Sequence, residues 1–143
     1  MAATSFEYRY GPRILIELPL DNATDDITPG MALTTAGADE GYFRNVDGSG
    51  EAVFGIAVNK VSSPSADGGA SVLVDVSQTS VYEVPPDAGT AAVTINQNTC
   101  DVGANGKSVN IDASSTDDIV VLYVDTNTNT CFVRLNSTYA GVA

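Results

Sequence analysis

The chain has 143 residues, the size of one domain, and its 43% hydrophobic content is enough to build a core without metal or disulfide staples. Its 18 acidic and 6 basic side chains give a formal charge of −12, which repels phosphate backbones and counts against nucleic acid as a partner. There is no histidine, which removes Ser-His and Cys-His nucleophile pairs, the usual base near neutral pH and most zinc sites.

From the N-terminus, Phe6, Tyr8 and Tyr10 alternate with Glu7 and Arg9 until Gly11-Pro12 breaks the run. The pattern fits either an edge strand or an extended arm. Arg13 to Leu18 places Ile14, Ile16 and Leu18 on one face, and Pro19 ends that strand. A polar loop, Asp21 to Asp26, and a Pro29-Gly30 turn follow. Short strands are expected at Met31 to Thr35 and Tyr42 to Val46, then a turn at 47–50. From Val53 to Val61, Phe54, Ile56 and Val58 should face one way and Gly55, Ala57 and Asn59 the other. Small residues on the second face predict close approach of another backbone, within the chain or from a neighbouring copy.

After a loop at Ser62 to Gly69, Val72, Val74 and Val76 alternate as inward positions of a strand. Ser80 to Val84 is the next strand, and Pro85-Pro86-Asp87-Ala88-Gly89 is the best internal boundary. Further strands are expected at Ala92 to Ile95, Thr99 to Val102, Lys107 to Ile111, Ile119 to Val124 and Thr130 to Leu135. Ile119 to Val124 is apolar on both faces, which marks a central strand. Many short strands at about ten-residue spacing predict an all-β fold, one β-sandwich or barrel-like antiparallel domain. It would span 13–143, with residues 1–12 as an N-terminal arm and a sub-lobe boundary near 85–89.

Candidate chemistry is sparse. Cys100 and Cys131 are expected as core thiols, since Cys131 alternates with Val133 and Leu135 and Cys packs as a small hydrophobe; a disulfide is the alternative. Gly103 to Ser108 resembles the end of a phosphate loop, but Asp101 stands where its first glycine belongs and a strand follows, so a hairpin turn is expected. Asp125, Asn127 and Asn129 match three positions of a calcium loop. Thr130 and Asn136 replace its glycine and bidentate Glu, so this too is expected to be a turn. Asp25-Asp26 and Asp117-Asp118 are adjacent carboxylate pairs that could be offered for a hydrolase, but neighbours on extended chain point apart, and surface loop carboxylates are expected. No enzyme, cofactor or metal is expected.

Residues 1–13 carry a net +1, whereas the rest of the chain carries −13. Tyr and Arg are frequent interface anchors. Phe6, Tyr8, Arg9, Tyr10 and Arg13 are therefore the candidate partner-binding residues, with the arm as anchor, separable from a β domain that folds without it. The start, Met-Ala-Ala-Thr-Ser-Phe-Glu, has no basic run and no apolar stretch, so no signal peptide or membrane span is expected.

Four segments carry a family resemblance: Ile27-Thr-Pro-Gly-Met-Ala-Leu33, Phe54-Gly-Ile-Ala-Val58, Gly68-Gly-Ala-Ser-Val-Leu-Val-Asp-Val76 and Val81-Tyr-Glu-Val-Pro85. Over about residues 27 to 85 the chain resembles the head decoration, or capsid cement, proteins of tailed bacteriophages. The resemblance implies a small all-β virion protein on the outer capsid surface, assembled in the host cytoplasm. Its partners would be the major capsid protein and itself as a homotrimer. The alternative function is a carbohydrate- or receptor-binding β module on a phage or cell surface.

Overall fold

A computed structural model of the chain describes residues 3–35, 41–48, 51–114 and 116–136. The fold is all-β, and among the described residues eleven strands form two antiparallel sheets arranged as a sandwich. They are β1 (Glu7–Tyr10), β2 (Leu15–Pro19), β3 (Ala32–Thr35), β4 (Phe43–Asn45), β5 (Gly55–Ala57), β6 (Ser71–Asp75), β7 (Val81–Val84), β8 (Thr99–Val102), β9 (Val109–Asn110), β10 (Ile119–Asp125) and β11 (Thr130–Leu135). The six-stranded sheet runs β1-β7-β11-β10-β8-β9 and the five-stranded sheet β2-β6-β5-β3-β4.

The main core lies where both sheets contribute. Ala32, Val46, Val53 and Ile56 meet Tyr82, Val84, Cys131, Val133 and Leu135, with Phe6 among them. It draws on residues from both sides of the Pro85–Gly89 segment. A second cluster joins Leu18, Val72, Val74 and Leu33 of the five-stranded sheet to Leu20, Ile27 and Met31 of the connection that follows β2. The inward alternation of Val72, Val74 and Val76 and the interior place of β10 both hold. Gly55 is where the small-residue face predicted close approach. A Cβ there would stand 2.4 Å from Val74 Cγ1 and 2.7 Å from the Asp75 carbonyl, both in this chain.

Three expectations change. Ala92 to Ile95 is not a strand: Val93–Ile95 forms one 3-10 turn, because Gln97 and Asn98 already take the ladder positions on Val121. Phe54 does not share a face with Ile56. Regular alternation is confined to the three residues of β5, and Phe54 packs with the second cluster while Ile56 enters the main core. On β2, only Leu18 of the predicted inward face is buried. Ile14 and Ile16 extend past the core and stay exposed.

The N-terminal segment resolves as the edge-strand alternative. β1 pairs antiparallel with β7, and Phe6 is 2% exposed, its ring edge-on to Tyr82 at 6.2 Å.

Candidate interaction surface

The chain passes from one sheet to the other at a braced corner. β1 and β2 are edge strands of different sheets, and β6 and β7, their partners, are consecutive. Gly11 makes the turn with φ +100°, and a Cβ there would fall 2.2 Å from the Thr79 carbonyl oxygen, so only glycine fits. The next carbonyl, of Pro12, accepts hydroxyl bonds from Ser77 at 2.7 Å, Thr79 at 2.9 Å and Ser80 at 3.1 Å. The Asp75 carboxylate is fully buried beneath. It accepts the backbone N–H of Ile14 at 3.1 Å, the backbone N–H of Ser77 at 3.0 Å and the Tyr82 hydroxyl. Burial, and then the bond to Asp75, raises the Tyr82 pKa well above that of a free phenol. One carboxylate thus ties β2, the 77–80 connection and β7 together.

The five candidate residues fall on this corner with different roles. Phe6 belongs to the chain's own core, which removes it from any partner surface. Tyr8 donates its hydroxyl to the Gly11 carbonyl, and the Arg13 guanidinium lies 4.4 Å over its ring. Arg13 Nε also stands 3.9 Å from Asp75. Glu7 and Glu83 sit directly opposite each other across β1 and β7, a like-charge pair. Arg9 relieves it, 3.1 Å from Glu7 and 2.9 Å from Glu83, and these contacts raise its pKa. Arg9 and Arg13, candidate partner-binding residues, thus both meet carboxylates of this chain. Tyr10 is the freest of the five, 51% exposed.

Two apolar exposures flank the corner. On the six-stranded sheet, Tyr10 lies near enough to Tyr123 to help burial raise the Tyr123 pKa, and Tyr123 stacks on Phe132 with centroids 4.5 Å apart and planes 9° apart. A shift in register between Val121 and Tyr123 turns the Tyr123 ring outward. On the five-stranded sheet, Ile14, Leu15 and Ile16 are 55%, 43% and 37% exposed in a row. Sequence reasoning missed Tyr123 and these three. The signal for the latter was Pro12 and Pro19 bracketing the run, since proline is confined to edge strands.

The other candidate motifs serve the fold. Gly103 to Ser108 is the β8–β9 turn, in which Asn105 Oδ1 accepts from the Lys107 N–H and the Ser108 hydroxyl, and Gly106 offers its carbonyl to Ala32. In the β10–β11 turn, Asp125 accepts the Asn127 N–H, and the Asn129 amide bonds Ala91 and Gly89. Asp25 and Asp26 accept from Asn45 and Ser63. Cys100 and Cys131 are both free and buried in the main core, and burial pushes the Cys131 thiol up to about 11. Asp118 is fully buried. Its Oδ1 accepts the Val53 N–H while its Oδ2 has no partner, and burial raises its pKa to about 6.

Among the described residues no three His, Cys, Asp or Glu side chains cluster in a metal-binding arrangement. No helix among them is long and apolar enough to cross a membrane. Two shallow grooves hold about 240 and 280 Å³, less than the ~300–1,000 Å³ of most small-molecule sites. No protein-family model, curated protein or solved structure matches the chain.

Proposed function

We propose that the chain is a structural virion protein that binds the outer surface of a phage capsid and stabilises it. The supporting observation is an exposed aromatic surface on a body braced against deformation. Tyr10, Tyr123 and Phe132 stand together beside a corner held by Asp75, Pro12 and Tyr82. A rigid platform of this kind loses little conformational freedom on docking, and Tyr and Phe are enriched in interface cores. The segments that carry the resemblance to decoration proteins contain β5, β6 and the first two residues of β3, in the five-stranded sheet, and β7, in the six-stranded sheet. The capsid-facing residues in this proposal are Tyr10, Tyr123 and Phe132, with Tyr8 and Arg13 shaping the corner. Titration of purified protein onto capsids that lack it tests the proposal. Saturable occupancy at a fixed ratio to the major capsid protein is expected, and absence of co-sedimentation would refute it.

The Tyr123–Phe132 stack also supports the second reading, a carbohydrate-binding module, because flat exposed rings can cover the apolar face of a sugar. Binding on a glycan array that is lost in Tyr123→Ala, with no affinity for capsids, would favour it.

A further inference from the structure

The outer edge of β2 carries a pattern that no feature of the chain's own fold requires. Leu15–Pro19 ends the five-stranded sheet, and no described residue pairs with the outer side of Leu15 to Glu17. The backbone directions follow from the inner side. The Ile14 carbonyl accepts the Val76 N–H, the Ile14 N–H donates to Asp75, and the Leu20 N–H donates to the Ala70 carbonyl. Even-numbered residues thus address β6. Antiparallel alternation then turns the N–H and C=O groups of Arg13, Leu15 and Glu17 outward.

We propose that Arg13 to Glu17 is a self-complementary edge that pairs antiparallel with the same strand of a second copy, about a two-fold axis at Leu15. In that register Leu15 faces Leu15 of the other copy and Arg13 faces Glu17. All three outward-facing residues fall on hydrogen-bonded positions. Ile14 then faces Ile16 at the non-hydrogen-bonded positions, where side chains come closest, roughly 4.5 Å between Cα atoms. A shift of one residue would set outward groups against inward ones, and a shift of two would keep the parity but part Arg13 from Glu17.

Three observations select a second copy as the occupant. The charges are placed symmetrically, a cation two residues before Leu15 and an anion two residues after it. Glu17 has no ion pair or side-chain hydrogen bond among the described residues, so its charge is free to meet Arg13 of the other copy, whose guanidinium would swing to it from the Tyr8 ring and its 3.9 Å approach to Asp75. Ile14, Leu15 and Ile16 form an exposed apolar run that in this register their own counterparts would cover. Pro12 and Pro19 bound the ladder, which keeps the pairing to five residues, and a two-fold contact closes on itself rather than growing into a fibre. The inference does not rest on capsid binding.

Five residues of strand span about 17 Å, a short contact, so association is expected at protein concentrations of about 100 µM and above. Sedimentation of the intact chain up to several times that concentration should show a reversible dimer. Leu15→Pro should abolish it without unfolding the protein, because the Leu15 N–H points away from β6. Leu15→Cys gives the register. Paired residues on hydrogen-bonded sites lie about 5.5 Å apart between Cα atoms, within disulfide range, and the native thiols are buried. Leu15→Cys should therefore form a covalent dimer under mild oxidation, and Glu17→Cys, facing Arg13, should not. A wild-type monomer at all concentrations, a trimer, a dimer that survives Leu15→Pro, or equal cross-linking of both cysteine variants would each overturn the proposal. Loss of capsid binding by a Leu15→Pro variant whose wild type never dimerises would assign the edge to the capsid protein instead.

Discussion

Asp118 is a buried carboxylate with one oxygen unpartnered, and its placement has a pH consequence. Desolvation raises its pKa from the usual carboxylate range to about 6, and the nearby Asp101 and Asp117 act in the same direction. Between about pH 4 and pH 6 the folded state therefore holds a proton that the unfolded state has released. This contribution is present at the acidic end and is lost as pH rises through 6, leaving a destabilising buried charge at pH 7. Asp118→Asn should flatten the dependence and raise stability at pH 7 by up to about 3 kcal/mol, as a shift of one unit is worth about 1.36 kcal/mol. Melting curves at pH 5 and pH 7 check this, and an unchanged slope would contradict it. Asp75 is the opposite case, a buried carboxylate with donors from three segments. Tyr82→Phe removes one of them and should cost about 1–3 kcal/mol in a denaturant titration.

At the scale of elements, β1 decides whether the N-terminus is a detachable anchor. Phe6 is in the main core, and β1 supplies the outer edge of the six-stranded sheet. Phe6→Ala should destabilise by about 3–5 kcal/mol. Deleting residues 2–12 should lower the melting temperature sharply or prevent folding, which calorimetry or circular dichroism would reveal. A deletion variant with wild-type stability would contradict the placement. The alternation of Val72, Val74 and Val76 and the turn at Gly103 to Ser108 were legible because they depend on local period and turn chemistry. The fate of Ile14 and Ile16 was not. An alternating strand announces a face, yet how far the core extends along it depends on partners 60 residues away. Gln97 and Asn98 displaced the strand expected at Ala92 to Ile95 for the same reason, by bonding Val121. Within the candidate surface, Tyr8, Arg9, Tyr10 and Arg13 were legible from composition. Tyr123 joins Tyr10 only through the sheet order and a bulge in β10, neither of which leaves a mark on the sequence.

For the whole molecule, the thiols and the surface make separate predictions. Cys100 and Cys131 contribute packing, so adding reductant should leave the melting temperature within about a degree, whereas loss of a structural disulfide would remove about 2–4 kcal/mol. The central claim is that this body reinforces a capsid through its aromatic face. The most direct measurement is the temperature at which capsids lacking the protein come apart, recorded as the protein is added back. The account predicts a rise of several degrees that saturates with occupancy. The Tyr10→Ser, Tyr123→Ser double variant should need at least thirtyfold more protein to reach it, given about 2 kcal/mol for an interface aromatic. No rise at full occupancy, or an equal rise with the double variant, would contradict the account.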